Sequence, residues 1–156
     1  MPTAGAMAAV VLLLASVPSA AQEAPPVRVQ VHVGGDPQLR ARAATLLRSE
    51  LQPLPNVTVS ERDAEYVLSV VVLPIASTGF AVSAAVMNVQ TDASLTALAR
   101  LWGLDDTAAG RLRTMFKGNG ALVDQRVLTG PDLAALCRDV VTAFAADTLD
   151  RARRAR

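Results

Sequence analysis

Tyr66–Ile75, with the sequence YVLSVVVLPI, and Phe80–Val89, with the sequence FAVSAAVMNV, decide the fold of this 156-residue chain. The four residues between them, 76–79, end in glycine, which is a common way to close a hairpin. The first stretch is rich in β-branched residues and apolar at successive positions, a pattern typical of a strand covered on both faces. The sequence therefore predicts a central β-hairpin whose first arm is buried on both sides.

Upstream of this hairpin the sequence predicts a strand, a helix and a short second strand. Valine alternates with polar residues over Val27–Val33, which indicates a half-buried strand. Asp36 is a good N-cap and proline suits the first helical position, so we expect a helix over Pro37–Gln52. Its apolar residues recur at helical spacing, as in a helix that lies on a sheet. Asn56–Val59 is the short strand.

Downstream of the hairpin we expect two short helices, a last strand and a long helix. The two short helices occupy an insertion at residues 91–120 and are separated by Gly103. Ala121–Leu128 has the composition of a strand. From Leu133 to Leu149 apolar residues recur at helical spacing. Residues 151–156 form an Arg-rich tail whose charge complements the dipole of that helix.

Taken together, these elements predict an α+β protein. Because strands that are neighbours in sequence usually pair, we expect a mainly antiparallel sheet of four to five strands. The two long helices would cover one face of the sheet and make a two-layer sandwich. The helical insertion would lie at one end of the sheet or on its other face. A single domain at residues 27–150 suits a chain of this length.

The amino-terminal 21 residues have the pattern of a secretory signal peptide. They carry no charged side chain and contain an apolar run at Ala6–Val17. Small residues at Ser19 and Ala21 predict cleavage before Gln22, which leaves a linker at residues 22–26. The run is shorter than the roughly 20 residues that span a bilayer, although an uncleaved anchor and an ordinary buried helix are alternatives. We therefore expect a periplasmic or secreted protein with no membrane span after cleavage.

Charge and cysteine content exclude some classes of function. The net charge is +1, and the 15 basic and 14 acidic residues are interspersed. A nucleic-acid-binding protein would show a basic face or stripe, so no nucleic-acid partner is expected. The single cysteine cannot form an internal disulfide, and the domain must be stabilised by its core.

No constellation of catalytic residues is evident. His32 is the only histidine, so a nucleophile at Ser69, Ser83 or Cys137 would have no other imidazole as its base. Cys137 falls on the apolar face of a predicted helix, where a buried and inert thiol is usual. We therefore expect no catalytic residues and a protein that is not an enzyme.

Metal and cofactor sites are not expected either. One histidine and one cysteine, about a hundred residues apart, do not form a cluster of metal ligands. Asp105 and Asp106, with Asp92, could hold a cation through carboxylates alone. Capping of the second short helix is the simpler interpretation of that pair.

The segment Asp63–Val70, DAEYVLSV, resembles a pattern of small bacterial envelope modules, in which an acidic-Ala-acidic-aromatic segment enters a hydrophobic strand after a β-α-β start. Such modules occur in the amino-terminal domain of the Tol–Pal propeller protein and in curli-secretion and peptidoglycan-synthase-activator lipoproteins. The resemblance covers Val27–Val89 and Pro131–Leu149; the insertion at 91–120 and the missing lipobox cysteine depart from it. It implies a non-enzymatic interaction module in the periplasm and transfers no site residues.

The sequence thus predicts an exported, non-enzymatic protein-interaction module of the bacterial cell envelope, with another envelope protein as its partner. The contact would be an exposed sheet edge or the apolar side chains of the insertion, because aromatic residues are enriched at interfaces. Alternatively, Trp102 and Phe116 pack in the core of the insertion. A second possible function is a periplasmic small-ligand carrier or sensor, with residues 95–117 as a lid over a pocket of roughly 300 Å³ or more. The candidate surface residues are Leu98, Trp102, Leu112, Met115 and Phe116.

Overall fold

The chain folds into a five-stranded sheet with helices in the computed structural model, which describes residues 26–76 and 79–154. The predicted signal segment at 1–21 lies outside the described residues. The strands are β1 (Val27–Gly35), β2 (Val57–Val59), β3 (Tyr66–Ile75), β4 (Gly79–Val89) and β5 (Gly120–Gly130). The helices are α1 (Pro37–Leu51), α2 (Asp92–Leu101), α3 (Asp106–Phe116), α4 (Leu133–Ala143) and α5 (Asp150–Arg154), and a π-helical segment, Phe144–Leu149, joins α4 to α5.

The strands are arranged in the order β2-β1-β3-β4-β5. This confirms the α+β class and the two-layer arrangement. The antiparallel ladders of β4 with β3 and β5 are the longest, whereas β1 is parallel to both β2 and β3. The sheet is therefore mixed. The α1 connection is a crossover, which returns the chain in its original direction and makes β2 parallel to β1. β3 pairs with β1 rather than with β2, its neighbour in sequence.

The central hairpin forms as the sequence predicts, and a glycine closes it. β3 and β4 pair from Tyr66 opposite Asn88 to Ile75 opposite Gly79. Gly79 has a φ of +121°, and a Cβ there would come within 2.2 Å of the carbonyl oxygen of Gly130. Only glycine fits this position without displacing the backbone.

One face of the sheet carries the main core. α1 contacts β1 and β3, and α4 contacts β4 and β5, so both long helices lie on this face. The Asp36 carboxylate caps α1 by accepting hydrogen bonds from the backbone N–H groups of Gln38 (2.9 Å) and Leu39 (3.1 Å). Alternate strand residues and one stripe of each helix are buried together here, among them Val29, Leu47, Leu51, Leu68, Val70, Val82, Leu133, Val140 and Phe144.

The opposite face, called here the open face, is largely uncovered. The prediction that the first arm of the hairpin is buried on both sides is wrong, because Val71 and Leu73 are 41% and 51% exposed. Among the strand residues that the structure describes, only Val67, near the base of the helical insertion, is buried on this face. β3 is apolar at successive positions even though α1 and α4 cover one of its faces only.

α2 and α3 form a helical hairpin beyond one end of the sheet, called here the α2–α3 hairpin (residues 91–119). Its base is closed by backbone hydrogen bonds from Gln90 N–H to Asn119 O (2.9 Å) and from Gly118 N–H to Gln90 O (3.0 Å). The two helices pack mainly on each other. Leu95 and Ala99 are buried but do not belong to the main core. The insertion therefore extends the β4–β5 pair and does not lie across the sheet.

The last helix returns to the end of the sheet where β1 begins. Arg126 of β5 contacts Asp147 of the π-helical segment at 2.9 Å and also contacts Asp124. The Arg153 guanidinium donates a hydrogen bond to Pro55 O at 2.7 Å. These contacts attach the carboxyl-terminal helix to β5 and to the loop before β2.

Candidate interaction site

A groove between α2 and α3 brings together four of the five predicted surface residues. Its volume is about 250 Å³. Leu98 and Trp102 form one wall, while Leu112 and Phe116 form the other, and each pair is four residues apart on or at the end of its helix. Residues four apart lie on one face of a helix, so this spacing places all four side chains toward the gap between the helices. Leu95 and Gln90 complete the lining.

The aromatic walls of the groove are accessible to solvent. Trp102 is 59% exposed and Phe116 is 44% exposed, whereas Leu95 is only 1% exposed. The alternative in which both aromatic side chains form the core of the insertion is therefore wrong; Leu95 and Ala99 are buried there instead. Trp102 is fixed at the end of α2 because its N–H donates to Leu98 O at 3.0 Å and Gly103 then turns the chain with a φ of +64°.

Met115, the fifth predicted residue, does not line the groove. It is 68% exposed, although it is the immediate neighbour of Phe116 on α3. Consecutive helical residues are about 100° apart around the axis, so only one of the two can face α2. Both side chains are apolar and were predicted together for that reason, whereas the four-residue spacing from Leu112 selects Phe116 alone.

Polar contacts hold the two helices together away from the groove. Lys117 donates to Asp92 at 2.5 Å, and this hydrogen bond is the main cause of a raised pKa for Lys117. Arg113 reaches Thr96 on α2 at 3.5 Å. At the start of α2, Thr91 and Ser94 make a reciprocal capping box. None of these side chains lines the groove, so its surface stays largely apolar.

The acidic pair before α3 is a cap. The Asp105 carboxylate accepts a hydrogen bond from Ala108 N–H at 2.8 Å. Asp92 is engaged by Lys117 and is not joined to the pair. Across residues 26–76 and 79–154, no group of three His, Cys, Asp or Glu side chains is placed to hold a metal ion.

His32 and Cys137 lie on opposite faces of the sheet. Cys137 is buried in the main core, and its burial raises the pKa of the thiol to about 11. His32 is on the open face, where it is the register partner of Ser69. No hydrogen bond joins the side chains of His32 and Ser69. The structure therefore separates the Cys–His pair and leaves the Ser–His neighbours unconnected.

Further clefts are open at the surface of the described residues. One, of about 550 Å³, lies between α1 and β2 and is lined by the polar residues Thr45, Arg48, Ser49 and Gln52 together with two valines of β2. Another, of about 440 Å³, lies between α2 and α3 beside Asp92 and Lys117. A smaller cleft of about 160 Å³ lies at the base of the α2–α3 hairpin beside Val67 and Lys117. These clefts were not predictable from the sequence, because each is formed by side chains from separate elements with no shared motif.

No family model, curated protein or solved structure matches this chain. Within the described part of the chain, no helix has the length and apolar character needed to cross a bilayer.

Proposed function

We propose that this chain is an exported, non-enzymatic protein-interaction module of the bacterial cell envelope. The proposed contact is the groove of the α2–α3 hairpin, and the proposed partner is an apolar segment of another envelope protein. The observation that carries the proposal is the solvent-accessible apolar lining by Leu98, Trp102, Leu112 and Phe116. Exposed aromatic side chains in a defined recess are typical anchors of protein interfaces.

The groove is suited to apolar side chains from a partner. Its volume of about 250 Å³ is comparable to that of one or two large side chains. Its walls are positioned before binding, because Lys117–Asp92 and Arg113–Thr96 contacts join α3 to α2 and a capping box orders the start of α2. A preformed recess lowers the entropic cost of association.

The same dimensions favour a partner side chain over a free small ligand. Sites for small ligands usually enclose roughly 300–1,000 Å³ and bury most of the ligand. The groove is smaller than this range and open to solvent along Trp102 and Phe116. A lid would have to lie over the sheet, whereas α2 and α3 pack mainly on each other.

Site-specific photo-crosslinking in the native envelope tests the proposal. A photoreactive phenylalanine analogue in place of Trp102, in the full chain, should give a discrete adduct with one envelope protein. Leu101 supplies a matched control position, because it is the neighbouring residue, is 80% exposed and does not line the groove. The same analogue at position 101 should not give that adduct.

Substitution on the other wall tests whether the groove itself binds. Phe116→Ala should reduce the adduct from position 102 by roughly thirtyfold, the effect of losing a central interface residue. Met115→Ala is the control, because Met115 is exposed on α3 outside the groove. Equal adducts from positions 101 and 102, or equal effects of the two alanine variants, would refute the groove as the contact.

A further inference from the structure

β5 is a long edge strand with one unpaired side. It has 11 residues and pairs with β4, and no described strand pairs with its other side. The opposite edge of the sheet is β2, which has only three residues. Edge strands of this length expose backbone N–H and C=O groups that can pair with a further strand.

The middle of β5 is complementary to itself in antiparallel orientation. Residues 123–127 read Val-Asp-Gln-Arg-Val. The sequence is therefore symmetric about Gln125 in its valines, and the two positions that flank Gln125 carry opposite charges. In an antiparallel pair with its two-fold axis at Gln125, Asp124 lies opposite Arg126 of the second copy. Val123 likewise lies opposite Val127. Opposite charges and β-branched pairs at directly opposed positions stabilise antiparallel strands.

The side-chain directions in the structure are consistent with this register. Asp124 and Arg126 are the register partners of Val86 and Ala84, which face the main core, so both charges are on the helix-bearing face. Gln125 and Val127 point to the open face. A two-fold axis perpendicular to the sheet keeps like faces together, and opposed residues then point to the same side.

The charged groups are already positioned at the edge. Arg126 is held by Asp124 and, at 2.9 Å, by Asp147 of the π-helical segment. These hydrogen bonds to carboxylates raise the pKa of Arg126, with Asp124 the largest cause. Its guanidinium is therefore restrained on β5, next to the position that Asp124 of a second copy would occupy.

We propose that two copies of this chain associate through antiparallel pairing of β5 with β5, which would make one ten-stranded sheet across a two-fold axis. Val127 is 66% exposed and Val123 is 40% exposed, and the pairing would bring each against the other on the open face. The register of β5 with β4 is regular from Asp124 onward, and Val123, which has no partner on β4, forms the bulge at which the self-complementary ladder of residues 123–127 ends. This interface goes beyond the proposed function and uses no residue of the α2–α3 groove.

Charge substitutions provide a test with internal complementation. Asp124→Arg places an arginine opposite Arg126 of the second copy at both symmetry-related contacts, and Arg126→Asp likewise places an aspartate opposite Asp124. Each variant alone should dimerise about tenfold or more weakly than the wild type in sedimentation-velocity experiments on the full chain between about 1 and 100 μM. An equimolar mixture of the two variants should form a one-to-one dimer, because every like-charge contact then becomes an opposite-charge contact.

A crosslink at the axis gives a second measurement that does not depend on charge. Gln125 would face itself across the axis, so Gln125→Cys should form a disulfide-linked dimer without reductant. The native Cys137 is buried and does not compete. Thr58→Cys, an exposed position on β2 at the other edge, is the control and should crosslink much more slowly.

The results separate a second copy from other occupants of the edge. A wild-type chain that stays monomeric over this concentration range would overturn the proposal and leave the edge to a strand of another protein. A dimer that persists in both charge variants, or a mixture that stays monomeric although both variants are folded by circular dichroism, would also overturn it. Equal crosslinking at positions 125 and 58 would have the same meaning.

Discussion

At the scale of single residues, Cys137 couples protonation to folding. Burial is the main cause that raises the pKa of its thiol from 9.0 to about 11, so the folded chain holds this proton more tightly than the unfolded chain. The contribution of the Cys137 thiol to the free energy of unfolding is complete below pH 9, declines as the pH rises from 9 to 11, and is lost above pH 11. The full loss is about 2–3 kcal/mol.

Urea unfolding at a series of pH values between 8 and 11 measures this decline. Cys137→Ala is the matched reference, because it lacks the titrating group but keeps a small apolar side chain at a buried helical position. The free energy of unfolding of the wild type should fall more steeply than that of the variant. Parallel curves for the two proteins would show that the thiol does not carry the effect.

Residue-scale prediction from the sequence succeeded where local chemistry decides the position. Asp36 caps α1 because its carboxylate and the first helical N–H groups are adjacent in the chain. The exposure of β3 on the open face was not predictable from local chemistry. Val71 and Leu73 are as apolar as their buried neighbours, and only the placement of α1 and α4 on the other face leaves them exposed.

At the scale of elements, the α2–α3 hairpin is separable from the sheet. Val89 and Gly120 are register partners on β4 and β5, so deletion of residues 91–118 joins these strands through Gln90 and Asn119 alone. With Gln90→Asn and Asn119→Gly, this connection becomes an Asn-Gly turn, which favours a two-residue hairpin. The shortened chain should still unfold cooperatively.

Its free energy of unfolding should fall by no more than about 2 kcal/mol, the scale of exposing one buried valine such as Val67. Denaturation followed by circular dichroism provides the measurement. The full chain with the same two substitutions is the control for the turn residues. Loss of the cooperative transition in the shortened chain alone would show that the helices are part of the main folding unit.

Helices and strands were predictable from the sequence because caps and periodicity are local signals. The two helices of the insertion fall within residues 91–120, as predicted, since Thr91, Gly103 and Asp105 define their ends. The strand order was not predictable, because the pairing of β3 with β1 joins residues that are far apart in the chain. The groove also required the structure, since it depends on how α2 crosses α3.

At the scale of the whole molecule, export is the property that residues 1–21 predict. The full chain, produced in a Gram-negative host, should be recovered from the periplasmic fraction. Its intact mass should be that of a chain that begins at Gln22. Ala21→Arg should block cleavage, because the residue just before the cut must be small. Ala20→Arg is the control, because residue 20 is the middle position of the A-x-A pattern, where large residues are tolerated.

Mass spectrometry of the fractionated protein distinguishes these cases. A wild-type mass that includes residue 1, in the membrane fraction, would favour the uncleaved anchor. Recovery of the wild type from the cytoplasm would contradict export altogether. Equal cleavage of the two arginine variants would show that the cut lies elsewhere.

Both ends of the described chain lie at the same end of the sheet as the α2–α3 hairpin. β1 begins at the end of the sheet where β4 finishes, with the start of β3 between them, because Val29 pairs with Tyr66 and Tyr66 pairs with Asn88. Arg153 contacts Pro55, close to the start of β2. An affinity tag or surface tether attached next to residue 26 or residue 154 would therefore lie at the end of the sheet that carries the groove. The β3–β4 turn at Ala76, at the far end of the sheet, is the place to attach a label that leaves the groove free.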